Sequence, residues 1–354
     1  MGTNTHPIVE GQYEGQYLRD ILDQPRALAA TLGQLEFPKE LDVIARRLRE
    51  GKIRRVVLTG MGASFHALHP LFLRLNDYGY TAVAIETSEL VHSVQRWFEP
   101  ETLIIAISQS GQSAEVVRLI EENRGRAAIV GVTNDTNSPL ALQANASILT
   151  MAGQEFSVSC KTYVTSLMAL HLLGGYLCGC DAGQTREELA QTVPAVASYL
   201  RNWKDHVVEL RAEIGRVRHL FLLGRGASLA AAGEGALIVK ESVRLHAEGM
   251  SGAAFRHGPL EMVNAETFAV IFAGAEATRT LQARLLDDIR QAGGRTGWIA
   301  EDASPGPWKL PETPPAVRPI VEILPVQMMT VALAAEAGIE AGRFDRVSKI
   351  TKME

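Results

Sequence analysis

Short apolar runs alternate with amphipathic stretches along most of the chain, and this pattern predicts strands alternating with helices. The clearest run, residues 103–107, is an unbroken stretch of apolar residues long enough for one buried parallel strand. Apolar positions 116, 117, 119 and 120 then suit one face of a helix. Alternation of strands and helices at this spacing predicts a doubly wound parallel α/β sheet.

The remaining apolar runs extend this prediction over both halves of the chain. In the first half we expect one or two helices over 17–49, strands at 53–59, 81–85, 127–132 and 148–151, and a long apolar helix over 161–178. An amphipathic helix over 186–215 is expected to connect the halves. In the second half we expect strands at 219–223, 268–272 and 320–324, and helices at 234–245 and 326–337.

An internal repeat relates the two halves. Gly-Met-Gly-Ala-Ser begins at Gly60 and Gly-Arg-Gly-Ala-Ser at Gly224, an offset of 164 residues, and each follows an apolar run. Such a repeat predicts two domains of the same doubly wound, flavodoxin-like type. We expect an N-terminal arm and helix over 1–30, a first domain over 31–185 and a second domain over 186–354.

Composition narrows the class of protein. The chain has 354 residues, of which 46% are hydrophobic and 21% charged, as in ordinary globular proteins. The net charge of −5 gives no electrostatic reason to expect nucleic acid or an anionic membrane as a partner. We find no apolar run approaching the roughly 18 residues of a membrane span, and no signal peptide. Cys160, Cys178 and Cys180 fit neither a disulfide framework nor a zinc site, so we expect a cytoplasmic protein without metal or cofactor.

The segment after the run 103–107 carries the clearest candidate chemistry. It reads Ser108-Gln109-Ser110-Gly111-Gln112-Ser113 and opens the next helix. We call residues 108–113 the serine loop. Helix N–H groups, the positive end of the helix dipole and small hydroxyls together bind anions, which predicts a phosphate site. The simpler alternative is that Ser110 or Ser113 only caps the helix.

The two glycine motifs are weak evidence for a dinucleotide. Phe65 and Leu229 stand where the third glycine of a Rossmann fingerprint would be, which argues against a nicotinamide or flavin. We expect Ser64 instead to cap a helix and to add a hydroxyl to the phosphate site. In the second half, residues 273–276 read Ala-Gly-Ala-Glu, without hydroxyls. The anion site is therefore expected only in the first half.

Two glutamates and one histidine are candidate acid–base groups. Glu234 and Glu241 are seven residues apart and lie on one face of the predicted helix. His257 precedes Gly258-Pro259, which predicts a turn where an imidazole can act near neutral pH. The simpler alternatives are two solvated helix carboxylates and a structural histidine.

These motifs together resemble the double sugar isomerase (SIS) domain family. The chain is similar to the isomerase half of glutamine–fructose-6-phosphate transaminases and to stand-alone amino-sugar-phosphate deaminases and isomerases. The resemblance covers nearly all of 30–354 and is carried by the stretches 60–64, 108–113, 155–162, 234–241, 246–248, 256–260 and 348–354.

The resemblance implies two SIS domains, a sugar-phosphate ligand and a homodimer in which the histidine reaches across from the partner subunit. It implies that Glu241 moves protons between C1 and C2, that His257 assists ring opening and that Lys349 meets the open-chain carbonyl. The residues implied to bind phosphate are Ser64, Ser108, Gln109, Ser110 and Ser113. Further substrate-binding residues are expected at Gly62, Ala63, Val158, Glu234 and Ser348.

Three departures from the transaminase pattern refine the expected function. The chain opens with Met1-Gly2-Thr3 and not with a glutaminase's cysteine nucleophile, so we expect that it cannot take ammonia from glutamine alone. Ile238 replaces a lysine three residues before the base, which argues against full amination chemistry. Glu261, directly after the His-Gly-Pro-Leu run, is closer to the deaminase-like relatives.

We therefore expect metal-independent isomerisation or hydrolytic deamination of a hexose or hexosamine 6-phosphate, of the glucosamine-6-phosphate or fructose-6-phosphate type. The alternatives are a non-catalytic sugar-phosphate-binding regulator and the isomerase subunit of a glutamine-dependent transaminase. The polar tail 338–354 is expected to have little reason to dock on the core and to close only over bound substrate.

Overall fold

A computed structural model describes residues 13–346 and residue 349. The expected arm over 1–15 therefore lies mostly outside the described residues. The strands β1 to β9 span, in order, Arg55–Gly60, Ala82–Glu86, Thr102–Ile107, Ala128–Thr133, Ala146–Leu149, His219–Gly224, Ala247–Ser251, Thr267–Phe272 and Arg295–Ile299. The helices α1 to α17 span Gln16–Leu22, Gln24–Gln34, Glu40–Arg49, Gly62–Ala67, His69–Asp77, Thr87–Ser93, Ala114–Asn123, Pro139–Gln143, Lys161–Cys178, Ala182–Ala190, Thr192–Arg201, Trp203–Ile214, Leu229–Val243, Gly252–Arg256, Glu276–Gln291, Pro319–Glu322 and Leu324–Glu336.

Two parallel sheets carry the fold. The first has the strand order β2-β1-β3-β4-β5 and the second the order β7-β6-β8-β9. Arg55 pairs with Thr102 in the first sheet, and His219 pairs with Thr267 at the equivalent place in the second. The first order is that of flavodoxin-like folds, and the second lacks only the last strand. The prediction of two doubly wound domains of one type is confirmed, whereas the domain boundaries stay a prediction.

The core explains why these segments form these elements. Every residue of β3 and of β8 is buried, as an unbroken apolar sequence requires of a central parallel strand. Helices α9 and α17 are apolar on nearly all sides and buried along most of their length. Side chains of both halves join these helices in one continuous hydrophobic cluster. The two halves thus share a core, and a site between them has rigid walls.

The strand expected over 320–324 is wrong. These residues form most of α16 and reach the first residue of α17, and Pro319 and Pro325 lie in the first turns of the two helices. Proline is well placed in the first turn of a helix because the N–H it lacks has no partner there. A short apolar run at the start of a buried helix cannot be told from a strand by periodicity. The combined stretch Pro319–Glu336 also has the length and composition of a membrane span, but 94% of it is buried inside the protein, as in a core helix.

Two strands escaped the sequence pattern. Strand β7 has the sequence Ala-Glu-Gly-Met-Ser and follows the helix expected over 234–245, where we expected no strand. Gly249 is required there because a Cβ would lie 2.3 Å from the carbonyl oxygen of Ala232. Strand β9, Arg-Thr-Gly-Trp-Ile, also contains a glycine, and Trp308 packs against it. Close packing therefore selected glycine in both strands, and this weakened the apolar pattern.

Candidate active site

A pocket of about 260 Å³ opens where strands β1 and β3 end. The chain leaves β1 toward β2 on one side and leaves β3 toward β4 on the other, so the two ends form a topological switch point. Ligands of open α/β sheets bind at such points. Helix α13 of the second half contributes Leu237 and Glu241 to the opposite wall. The pocket therefore lies between the halves.

Nine of the residues singled out from the sequence line this pocket. They come from the first turn of α4, the serine loop, α13 and the C-terminal segment, by which we mean residues 338–346 and 349. The nine are Gly62, Ala63, Ser64, Ser108, Gln109, Ser110, Ser113, Glu241 and Lys349.

The serine loop is a tight turn that its own hydroxyls help to shape. Ser108 Oγ accepts a hydrogen bond from the backbone N–H of Gly111 at 3.1 Å, and Ser110 Oγ accepts one from Gln112 at 3.4 Å. Gly111 has a φ of 61°, and a Cβ there would lie 2.1 Å from Ser138 Oγ. Only glycine fits this position, and the turn places the loop against the pocket.

Ser113 and Ser64 contribute in ways that differ from simple capping. Ser113 is the N-cap residue of α7, but its side chain makes no cap hydrogen bond. Its hydroxyl lines the pocket, which favours ligand binding over the capping alternative. The expectation that Ser64 caps a helix is wrong, because Met61 is the N-cap of α4 and Ser64 lies inside the helix.

Glu155 is a buried carboxylate to which we assigned no role from the sequence. Its Oε1 accepts hydrogen bonds from the backbone N–H groups of Cys160 and Thr162, both at 3.0 Å. Its Oε2 accepts from Thr162 Oγ1 at 2.6 Å and from Lys349 Nζ at 3.0 Å. Cys160, the N-cap of α9, provides no side-chain cap, so Glu155 caps this helix and binds Lys349 at once.

The loop between β5 and α9 also brings Ser157 and Ser159 to the pocket, and the first turn of α9 brings Thr162. Helix α1 supports this loop: Asp20 accepts a hydrogen bond from the N–H of Phe156 at 3.0 Å and pairs with the buried Lys161 at 3.1 Å. The signal available in the sequence was the run 155–162, rich in hydroxyls and preceding a long helix. We had used it only for the resemblance.

Glu241 is the titratable group best suited to proton transfer in this pocket. Burial raises the pKa of its carboxyl to about 7, while the ammonium groups of Lys349 and Lys240 act in the opposite direction. A carboxyl with a pKa near 7 both accepts and releases a proton at neutral pH.

Three predicted site residues are not brought to the pocket. The Val158 side chain packs in the core, and Glu234 is fully buried behind the pocket wall with neither carboxyl oxygen hydrogen-bonded within the described residues. Burial, with Glu241 and Glu155 nearby, raises the pKa of the Glu234 carboxyl well above its usual range. His257 lies exposed on a turn after α14, as the sequence predicts, but it is not part of the pocket wall of its own chain. Ser348 lies outside the described residues.

The described part of the tail docks on the core, contrary to expectation. Ile339, Ala341 and Phe344 pack against the main hydrophobic cluster, and this provides the apolar contact that we thought the tail lacked. Ser157 Oγ donates a hydrogen bond to the carbonyl oxygen of Gly342 at 2.5 Å. Lys349 thus reaches the pocket from a segment that is itself held in place.

The second half fills the equivalent of the anion site with its own side chains. Ser228, which corresponds to Ser64, donates a hydrogen bond to Glu322 Oε1 at 2.8 Å. Arg318 donates to the carbonyl oxygen of Gly274 at 3.0 Å and pairs with Glu301. The hydroxyl of Ser228 is therefore hydrogen-bonded to a carboxyl of the protein itself. This agrees with the prediction of an anion site in the first half only.

Among residues 13–346 and 349, no group of three or more histidine, cysteine, aspartate or glutamate side chains is arranged to hold a metal ion.

The SIS domain family matches residues 51–174 and 213–305. A glutamine–fructose-6-phosphate aminotransferase (isomerizing) from Pyrococcus horikoshii is 31% identical over 360 residues, which cover 98% of this chain and 59% of the relative. The chain thus spans about three fifths of the length of such relatives.

Solved structures show the same fold. The C-terminal domain of glucosamine-fructose-6-phosphate aminotransferase from Francisella tularensis superposes with a TM-score of 0.83 at 21% identity, over 95% of this chain and 100% of that one. A glucosamine-6-phosphate deaminase from Thermotoga maritima gives a TM-score of 0.75 at 17% identity, over 96% and 100%.

Proposed function

The chain belongs to the SIS domain family, and we propose that it isomerises or deaminates a hexose or hexosamine 6-phosphate. The relatives include an isomerising aminotransferase and an amino-sugar-phosphate deaminase, which act on substrates of this class. In both reactions a base moves a proton between C1 and C2 of an open-chain sugar phosphate. They differ in whether nitrogen leaves.

One observation carries this proposal: Glu241 faces the same pocket as the serine loop, with a pKa of about 7. The loop offers hydroxyls and the N-terminus of α7 to a phosphate, without any arginine or lysine of its own. The phosphate is thus a remote anchor whose binding energy positions the reacting carbons beside Glu241.

The chemical steps follow from these positions. The Glu241 carboxylate takes a proton from C2 of the aldose, or C1 of the ketose, and the electron pair forms a C1–C2 double bond while the carbonyl oxygen gains negative charge. The proton of the neighbouring hydroxyl moves to this oxygen, and return of the carbon-bound proton from Glu241 to the other carbon completes isomerisation. With an amino group on C2, the enamine tautomerises to an imine, and water then hydrolyses it to the ketose and ammonia.

His257 and Lys349 complete the proposed machinery. We place His257 at the ring oxygen of the substrate bound to a second copy of the chain, because it is exposed and lies away from the pocket of its own chain. Lys349 lines the pocket beside Glu155 and is close enough to Glu241 to influence its pKa. We further propose a cytoplasmic homodimer.

A panel of hexose and hexosamine 6-phosphates, followed by proton NMR in deuterated water, tests the proposed function. We expect exchange of the C1 or C2 proton for at least one substrate, and an ammonia assay separates deamination from isomerisation. The matched control is each unphosphorylated sugar, which lacks the anchor. Tight binding of a sugar phosphate without proton exchange would contradict an enzyme and identify a ligand-binding regulator.

A further inference from the structure

A second pocket, of about 190 Å³, lies between the two halves of the chain. Helices α4, α5 and α9 of the first half line it, together with Ala227, residues 315–317 and the start of α16 from the second half. No residue of this second pocket lines the pocket that contains Glu241, which we call the active pocket. The two pockets are therefore separate.

The internal repeat relates the second pocket to the active pocket. In the active pocket, the glycine motif of the first half and the loop before α9 are joined by α13, the helix that follows the glycine motif of the second half. In the second pocket, Ala227 of the second glycine motif and the loop before α16 are joined by α5, which lies beyond the first glycine motif. Ala227 lies 164 residues after Ala63 of the active pocket, which is the offset of the repeat. The second pocket is thus the counterpart of the active pocket, with the two halves exchanged.

The walls of the second pocket differ in chemistry from those of the active pocket. Eleven of its thirteen lining residues are apolar, and the other two are Arg74 and His171. No hydroxyl, amide or carboxyl side chain lines it, so the hydroxyls of a sugar would lose their hydrogen bonds to water without replacement. An apolar cavity of about 150 Å³ admits benzene, so this volume accommodates a body of about one aromatic ring. The walls therefore favour a small apolar ligand.

Arg74 brings a positive charge to these apolar walls. Its Nη1 donates a hydrogen bond to the carbonyl oxygen of His171 at 2.9 Å, and it forms no ion pair with any residue in 13–346 or with residue 349. Burial raises the pKa of the nearby Cys178 thiol to about 11, so this group does not supply a negative charge at neutral pH. A guanidinium binds a carboxylate through two parallel N–H donors. Arg74 therefore favours a ligand that carries a carboxylate.

His171 adds a polar group without adding a charge. Burial and the charge of Arg74 lower the pKa of its imidazole to about 4, so the ring is neutral at pH 7. Its Nε2 lies 3.9 Å from Glu188 Oε2, which is too far for a hydrogen bond, and has no hydrogen-bond partner in the described part of the chain. Arg74 is thus the charge that decides which ligand the second pocket accepts.

We propose that the second pocket binds a small carboxylic acid with an apolar body of about the size of benzoate, and that its carboxylate pairs with Arg74. This site goes beyond the proposed function and does not depend on it. Helices α4 and α9 carry residues of both pockets, since Ser64 and Thr162 line the active pocket and Ala67 and His171 line the second one. A ligand in the second pocket therefore contacts the same helices that shape the active pocket.

Titration of the full chain with 4-fluorobenzoate, followed by fluorine NMR, tests the proposed site. We expect saturable binding in the parent and at least about a tenfold loss of affinity in Arg74→Met, which keeps the length of the side chain but removes its charged hydrogen bonds. Arg74→Lys keeps the charge and should lose less than Arg74→Met. The matched control Arg54→Met changes an exposed arginine outside the pocket and should keep the parental affinity.

An uncharged probe keeps the test decisive if Arg74→Met fails to fold. In the parent, 4-fluorobenzamide has the same ring without the charge and should bind at least about tenfold more weakly than 4-fluorobenzoate. Equal affinity for the two probes, parental affinity in folded Arg74→Met, or the absence of saturable binding in the parent overturns the proposed site.

The position of the bound probe is read from methyl-labelled protein. We expect 4-fluorobenzoate to shift the methyl resonances of Leu71, Leu167 and Ile320, which line the second pocket, and to leave Leu237 of the active pocket unchanged. Shifts at Leu237 alone would place the carboxylate in the active pocket and overturn the proposal. No sugar phosphate enters these measurements, so their outcome is independent of whether the proposed function holds.

Discussion

At the scale of single residues, the pocket combines groups that are fixed with one that titrates. The serine loop is held by its own hydrogen bonds, and Glu155 by hydrogen bonds from Cys160, Thr162 and Lys349, whereas burial raises the pKa of Glu241. The groups that must keep a fixed position are thus held by several hydrogen bonds at once. The group that must change its protonation state is instead placed where its pKa approaches neutrality.

Glu241→Gln is predicted to bind substrate and to stop proton exchange between C1 or C2 and deuterated solvent. The amide keeps the shape but cannot accept the carbon-bound proton, so we expect a loss of about 10²–10⁴-fold in exchange. In the parent the carboxylate is the active base, so kcat/KM should rise with pH through about 7. Exchange at the parental rate in the variant, measured by NMR, would move the base elsewhere.

The double variant Ser110→Ala, Ser113→Ala is predicted to weaken binding of phosphorylated substrate. Ser113 makes no cap hydrogen bond and Ser110 only a long one, so both hydroxyls are available to a phosphate. Losing two such bonds should cost about 2–4 kcal/mol of binding. Titration calorimetry measures this, with Ser93→Ala on the surface of α6 as the control. Unchanged affinity would remove the serine loop from the phosphate site.

Site residues could be predicted from the sequence where they form a local motif. They could not be predicted where their role depends on a contact with a distant part of the chain. The serine loop is contiguous, so its chemistry is legible along the chain. Glu155 gains its importance from Lys349, 194 residues away, and no local pattern records such a contact. Val158 and Glu234 appeared equivalent to pocket residues until the fold showed them facing the core.

At the scale of elements, buried parallel strands were the easiest to predict and glycine-containing edges the hardest. Strand β3 and helix α9 fall within one residue of their expected bounds, because their apolar runs are long and end at Ser108 and at the left-handed Gly179 respectively. The edge strands β7 and β9 lack that signal, since close packing demands glycine within them. The apolar stretch before Pro325 belongs to helices α16 and α17. Because both helices are buried on nearly every side, their sequences lack the alternation of apolar and polar faces that marks a surface helix.

Gly342→Ala is predicted to dislodge the C-terminal segment. A Cβ at this position would lie 2.6 Å from Ser157 Oγ and 2.7 Å from the Tyr17 Cβ, and its φ is 73°. Turnover should fall about tenfold or more while phosphate-anchored binding persists, because the segment that carries Lys349 loses its contact with Ser157. Gly338→Ala is a matched control: its φ is 69°, but nothing lies within 4 Å of the added carbon. Equal effects would mean that backbone strain, and not the contact with Ser157, decides the outcome.

At the scale of the whole molecule, the two halves share one fold but differ at the place of the predicted anion site. In the first half the serine loop lines an open pocket, whereas in the second half Glu322 accepts the hydrogen bond of the equivalent serine, Ser228. Burial raises the pKa of Glu322 from its ordinary 4.5 to about 7, although Ser228 and Arg318 act in the opposite direction. The second half thus carries a buried acid whose ionisation opposes folding.

Glu322→Gln is predicted to gain stability relative to the parent as the pH rises. Between pH 4.5 and about 7 the folded parent binds more protons than the unfolded chain, so its free energy of unfolding falls as pH rises through this window. The variant lacks this titration, and the difference between the two proteins should shift in its favour by about 3 kcal/mol between pH 4 and 8. Urea unfolding at both pH values measures the shift. The other buried acids are common to both proteins, so a constant difference would show that Glu322 does not titrate as described.

The proposed exchange of His257 between two copies makes the sharpest prediction for the whole assembly. His257 is exposed at the end of α14, and Met262, just beyond it, is an exposed hydrophobic residue, as a contact with a second copy would require. Glu241→Gln and His257→Ala should each be nearly inactive alone. In a heterodimer of the two, isolated through two different affinity tags, the His257→Ala subunit keeps Glu241 and receives an intact His257 from its partner. One of two sites is restored, so the heterodimer should show about half the parental activity per dimer. If His257 served its own chain, both sites would lack a catalytic group and the heterodimer would be as inactive as the two variants alone. A parent protein that sediments as a monomer would exclude the exchange altogether.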